Sequence, residues 1–372
     1  MIKHQEEFLF LANDQLNRST PFLLMRESII NARIKEFEDY QSEQCEVYYA
    51  VKANSDIGVL SLIARSGLGF EIASEGELEL LLNLGVSSQR IITSNPIKSS
   101  QFIEKLLQVG ISRFVVDSYD ELEKICSQKP DAEIVLRIIV DNSQSTWPLD
   151  EKYGVEVTEA NIFLQKAKSL GLNPIGLTFH VGSQCVSDAA WKSALFAASN
   201  VWDQAASEGI LLNYLNMGGG FPASHGDVIP NIKETFRSIL SCLSDKFPSD
   251  IQIAVEPGRG LVADAGVLVA SVIGKATRRD GEWVYLDVGV WNGLTESIGG
   301  IEYSFFTGNS DVSGKNITIA GPSCDSFDVV SKSVILNTPM TGDRIMIFPA
   351  GAYTSTYASN FNGMKIPEVI VV

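Results

Sequence analysis

The chain has 372 residues, 45% hydrophobic and 20% charged, enough to bury one large domain and a smaller one. Its net charge of −16 makes nucleic acid an unsuitable partner, no stretch is long and apolar enough to span a membrane, and no basic segment followed by an apolar run opens the chain, so a cytoplasmic protein is expected. Five scattered cysteines without a C-x-x-C pair, and only three histidines, argue for reduced thiols and against a structural metal site.

The first twenty residues fit no clear pattern and are expected to complete one of the parts that follow. Short β-rich runs then recur at 47–53, 69–74, 90–96, 113–118, 133–140, 176–182, 214–220 and 251–259. Between them, helical spacing appears at 75–84, 99–109, 119–127, 158–170, 189–208 and 231–243. Strand-helix repetition predicts parallel β-α units, and eight strands predict a (β/α)8 TIM barrel over residues 20–260. No G-x-G-x-x-G follows the first run, which speaks against a dinucleotide-binding sheet. After about Gly260 the helical spacing fades. Apolar runs at 266–273, 283–290, 316–320, 333–336, 344–348 and 366–372 follow one another, separated by turns such as Arg279-Asp280-Gly281, Gly308-Asn309-Ser310 and Thr341-Gly342-Asp343. They predict a mostly antiparallel β-domain made of 261–372 with residues 1–19.

Polar chemistry collects where the barrel strands end, the face on which such barrels work. Val47-Tyr48-Tyr49-Ala50-Val51 runs directly into Lys52. Desolvation at a strand end pushes a lysine toward its neutral, nucleophilic form, the form Schiff-base chemistry needs. Alone, the same lysine is equally one that snorkels into water. Glu71 and Glu77 lie on or after the second run and Arg137 within the fifth. The sixth ends in Phe179-His180-Val181-Gly182-Ser183, the seventh in Gly218-Gly219-Gly220-Phe221-Pro222, and the eighth in Glu256-Pro257-Gly258-Arg259. Consecutive glycines leave backbone N–H groups open to a phosphate, and Gly258 with Arg259 offers further donors. A triple glycine by itself is also a flexible turn, and a lone histidine a satisfied core residue. Brought together, an amine, a flat imidazole, a phosphate cradle and a carboxylate suit pyridoxal 5'-phosphate.

These motifs, with Gly321-Pro322-Ser323-Cys324-Asp325, Gly351-Ala352-Tyr353-Thr354 and Phe361-Asn362-Gly363 in the second domain, resemble the fold-type III, ornithine/diaminopimelate-type decarboxylases. That family joins an alanine-racemase-like barrel to a β-domain, and the resemblance covers most of the chain in family order. It implies that Lys52 carries the cofactor's aldehyde, that His180 stacks on the ring and that Glu256 pairs with the ring nitrogen. Ser183, Gly220, Arg259 and Tyr353 would bind the phosphate, with Gly218, Gly219 and Gly258 shaping its turns. Glu71, Glu77 and Arg137 would surround the ring. Cys324, offered by the partner subunit of a homodimer with shared active sites, would protonate the α-carbon, while Asp325 and Tyr353 meet the substrate.

The chain departs from the ornithine enzymes at several points. Glu71, Asn216 and Trp291 stand where they usually have aspartate, aspartate and tyrosine. The stretch Ser297-Ile298-Gly299-Gly300-Ile301-Glu302 lacks the aspartate that holds a distal amine, so Glu302 is a candidate substitute. The implied activity is decarboxylation of a basic L-amino acid, ornithine or lysine, as in polyamine biosynthesis. Diaminopimelate, a larger amino-acid conjugate of a specialised pathway, a racemase and a non-catalytic regulatory homologue are the alternatives.

Overall fold

The computed structural model describes residues 5–15, 17–149, 151–225, 229–307 and 314–372. Eight parallel strands form the first sheet, in the order Ile91–Thr93, Gly69–Ile72, Cys45–Ala50, Gln252–Val255, Tyr214–Asn216, Asn173–Thr178, Glu133–Arg137 and Arg113–Val116. Seven neighbouring pairs are hydrogen-bonded, and the seam between Ile91–Thr93 and Arg113–Val116 is the one left without a ladder. This is the nearly closed (β/α)8 barrel that the strand-helix repetition predicts. Tyr48, Val115, Val135, Ile175, Tyr214 and Ala254, one from each of six strands, make a small separate apolar cluster that fills its interior.

The connecting helices start where the sequence offers side-chain caps. Ser74, Ser99 and Ser118 accept from the backbone N–H groups of Glu77, Phe102 and Glu121, fixing the starts of Glu75–Asn83, Ser100–Gln108 and Tyr119–Gln128. Each such cap contributes about 1 kcal/mol. At Ser74 the capping is nearly reciprocal: Glu77 reaches back and accepts from Ala73 N at 2.6 Å. Glu27–Glu38, Ile57–Ala64, Ala160–Ser169, Asp188–Ser207 and Ile232–Lys246 complete the ring.

The second sheet also has eight strands. Gly266–Arg278 is its spine, pairing antiparallel with Gly281–Leu286, Arg344–Phe348 and Phe22–Met25. Antiparallel pairs predominate, but Gly281–Leu286 runs parallel to Lys315–Ala320, and Phe22–Met25 parallel to Glu368–Val371. Phe22–Met25 lies on the barrel side of a division at residue 20, yet it sits in this sheet between the spine and the last strand, completely buried. The helix Gln5–Asp14 packs on the same domain through Phe8 against Phe348, and Arg344 donates to the carbonyls of Ala12, Gln15 and Arg18. The expected turn Gly308-Asn309-Ser310 lies outside the described residues. Among the described residues, no helix is long and apolar enough to cross a membrane.

Candidate active site

Strand register places the ionisable groups in one layer at the barrel's mouth. Ala50 pairs with Glu71, so Lys52, two residues on, rises beside that carboxylate. Asn216 pairs with Ala254, which puts it next to Glu256 just past the eighth strand. Lys52 Nζ lies 3.2 Å from Glu71 Oε2, the lysine half exposed and the glutamate side chain buried. The coulombic pull of Glu71 outweighs burial and, aided by Tyr353 and Glu256, raises the amine well above its usual value. The expectation that desolvation makes Lys52 neutral is therefore overturned: with no other group bound to it the amine is an ammonium.

Glu256 is buried, and its Oε1 accepts from Asn216 Nδ2 at 2.5 Å and from the Ser94 hydroxyl. Burial, then Glu71, pushes the Glu256 carboxyl up, opposed by Lys52 and these two hydrogen bonds. Asn216 in place of aspartate now has a reason. Its amide donates to Glu256 while its Oδ1 accepts from Gly218 N at 2.9 Å, whereas an ionised aspartate would offer no donor and add a second buried charge.

His180 Nδ1 accepts from Gly182 N at 3.0 Å, which leaves the ring proton on Nε2. Burial, followed by the cations Arg137 and Lys52, holds its pKa well below the ordinary range, so the imidazole is neutral. Gly219 lies against it: a Cβ there would approach Glu256 O to 2.7 Å and His180 Nε2 to 3.1 Å. Gly218 and Gly220 have φ of +64° and +103°, in the left-handed region that glycine alone enters cheaply.

Arg259 is buried and gripped end-on by Glu296, with Nη1 and Nη2 donating to Oε2 and Oε1 at 2.9 and 2.5 Å. That leaves its side-on fork, Nε and Nη2, turned to Ser183 Oγ at 3.4 and 3.3 Å. The guanidinium stacks 4.9 Å from the Tyr353 ring centroid. Ser183, Gly219, Gly220, Gly258, Arg259 and Tyr353 bound one small cavity beside Lys52 and His180. It adjoins a larger one of about 600 Å³ that Lys52, Arg137, His180, Ser183 and Tyr353 share with Trp147, Tyr153, Glu296 and Tyr357.

Of the residues predicted for the site, Glu77 caps its own helix through Ala73 N, and Arg137 lines the larger cavity with its guanidinium 5.4 Å from the Tyr153 ring. Cys324 and Asp325 lie outside both described linings. They sit on the loop between Lys315–Ala320 and Val329–Leu336, where Asn362 Oδ1 accepts from Cys324 N and Sγ at 3.4 Å and Asp325 Oδ1 accepts from Phe327 N. Glu302 is exposed, its carbonyl oxygen 2.8 Å from His225 Nδ1, and Trp291 packs on Phe361. Sequence reasoning missed Ser94, Glu296, Trp147 and Tyr357. Gln184, Tyr353 and Asn362 are the non-glycine residues with positive φ among those described, and each adjoins or belongs to a group named above.

Residues 27–263 match the model of the pyridoxal-dependent decarboxylase family, its pyridoxal-binding domain. The chain is 33% identical over 356 residues to a lysine/ornithine decarboxylase of Selenomonas ruminantium, covering 95% of this chain and 89% of that one. It is 35% identical over 337 residues to an ornithine decarboxylase of Schizosaccharomyces pombe, covering 87% and 77%. A lysine/ornithine decarboxylase of Vibrio vulnificus, solved with putrescine, superposes with a TM-score of 0.89 at 29% identity over 98% of each chain. The chain belongs to the pyridoxal-dependent decarboxylase family.

Proposed function

We propose that this enzyme removes the α-carboxylate of a basic L-amino acid, lysine or ornithine, releasing carbon dioxide and the corresponding diamine. The observation that supports it most is the layer of Lys52, Glu71, Glu256 and His180 set against the glycine-lined cavity of Arg259, Ser183 and Tyr353. These donors fit pyridoxal phosphate: an amine for its aldehyde, a buried carboxyl for its ring nitrogen, and hydroxyls, glycine backbone and an arginine fork for its phosphate. When bound, the cofactor supplies an acceptor for the electron pair left as carbon dioxide departs.

The chain's own groups do the rest. Glu71 keeps a proton on the Lys52 amine until that amine is engaged. Neutral His180 offers a flat face and adds no charge. Ser94 and Asn216 hold Glu256 in place, so its carboxyl needs no reorganisation during the reaction. A proton must return to the α-carbon, and Cys324 is the candidate donor. It is exposed in the single chain, on a loop that also presents Phe327, which is 79% exposed. A second copy of the chain would cover that loop and carry Cys324 and Asp325 to the barrel mouth, making a homodimer with shared sites.

Carbon dioxide release from a panel of L-amino acids tests the substrate reading. Lysine or ornithine should be turned over best, with the matching diamine as product. Best turnover of an acidic or otherwise carboxylate-bearing compound would refute it.

A further inference from the structure

The far wall of the larger cavity has no role yet. The loop that follows Leu294 runs through Glu296, both of whose carboxylate oxygens are on Arg259, and ends in Gly299-Gly300. The ground over Gly299 is taken by the Trp147 indole: a Cβ at 299 would lie 2.1 and 2.3 Å from Cζ3 and Cε3 of that ring. Any side chain there would evict the indole. Trp147 lines the same cavity as Lys52.

Three attachments hold this ring in place. Trp147 pairs directly opposite Ser183 in a two-stranded antiparallel ladder, so the two side chains rise on one face. The turn before it is tied down through Asn142, whose Nδ2 donates to His180 O at 2.9 Å and whose Oδ1 accepts from Leu149 N at 2.9 Å. Beneath it, the loop bearing Gly299 is anchored by Glu296 on Arg259, a buried pair that leaves an uncompensated charge if either partner is removed. An indole fastened this way is a wall of the cavity rather than a mobile rim.

We propose that Trp147 is a specificity-determining residue that limits the length of the substrate side chain. This rests on the reading of the cavity as the amino-acid site. The indole presents an apolar face to the methylenes, and a terminal ammonium over that face gains a cation–π attraction without a carboxylate.

The test compares wild type with Trp147→Ala and Trp147→Phe, each checked for folding by its melting curve and for cofactor by its visible absorbance. Values of kcat/KM are measured for L-ornithine, L-lysine and L-arginine, a series of rising length. Trp147→Ala should raise the lysine-to-ornithine and arginine-to-lysine ratios about tenfold, the scale of a methylene in an apolar pocket, mainly through KM. Trp147→Phe should fall between, and it carries the test if the alanine variant does not fold. Ratios within twofold of wild type in a folded, cofactor-bound variant would overturn the proposal. Norvaline, norleucine and 2-aminoheptanoate, followed by the change in cofactor absorbance on binding, probe the same wall without a distal charge. If wild type ignores the bases but binds this neutral series, the basic-substrate reading falls, and Trp147→Ala should then shift binding about tenfold toward 2-aminoheptanoate over norvaline, an unshifted ratio overturning the proposal. Binding of neither series overturns both.

Discussion

At Lys52, the proposed cofactor lysine, an electrostatic balance would govern how the site is loaded. Two effects oppose each other there: burial favours the neutral amine, and a carboxylate at 3.2 Å favours the ammonium. The carboxylate wins, so loading by the cofactor first requires a proton to leave Lys52. Glu71→Gln removes the largest cause of the raised pKa. Apo-enzyme carrying that change should take up pyridoxal phosphate along a pH profile displaced to lower pH, about tenfold faster near neutrality for each unit of displacement. An unmoved profile, or one displaced upward, would show that Glu71 does not control the amine. Lys52, His180 and Glu256 were legible in the sequence because each ends a barrel strand, and strand ends are contiguous with the patterns that announce them. Glu296 was not, since its partner Arg259 lies 37 residues earlier in the other domain's last barrel turn. Nor was Trp147, whose neighbour Gly299 shows in sequence only as the absence of a side chain.

Among the elements, the repeating ones were the readable ones. Helices such as Ser100–Gln108 have serine caps and an amphipathic face, and the sequence boundaries at 99–109 differ from the structure by one residue at each end. Ile57–Ala64 escaped because Ile-Gly-Val-Leu-Ser-Leu-Ile-Ala has no polar face to set a period. Glu27–Glu38 escaped because Arg26 stands at its N-cap and makes no side-chain cap bond. Phe22–Met25 is wholly buried and shows no alternation, and its partners lie more than 240 residues later, so nothing local reveals its sheet. The seam of the barrel was equally invisible. Buried Lys98 spans it, donating to Asn95 O on one side and Val115 O on the other at 2.9 and 2.8 Å, while paired with Glu121 at 3.0 Å. Burial pushes its amine down to about 8, and these carbonyls stand in for the ladder that the two strands do not make.

At the scale of the whole molecule, the proposed proton donor lies apart from the cavity it would serve. The cavity beside Lys52 is built from the barrel, with Glu296, Tyr353 and Tyr357 of the second domain, yet the described linings include neither Cys324 nor Asp325. If a second copy supplies them, Lys52→Ala and Cys324→Ala proteins should each be inactive alone and regain activity when mixed. Hybrids are half of a random mixture and hold one intact site of two, so about one site in four should work. No recovery, with subunit exchange demonstrated, would rule out shared sites. The proposed reaction is centred on Lys52 rather than on another amine, such as buried Lys98. Reduction of the cofactor-loaded enzyme with borohydride fixes the cofactor to whichever lysine holds it, and peptide mapping then locates it. A single pyridoxyl group is expected on the peptide containing Lys52. Its appearance on Lys98 or any other lysine would contradict the proposal.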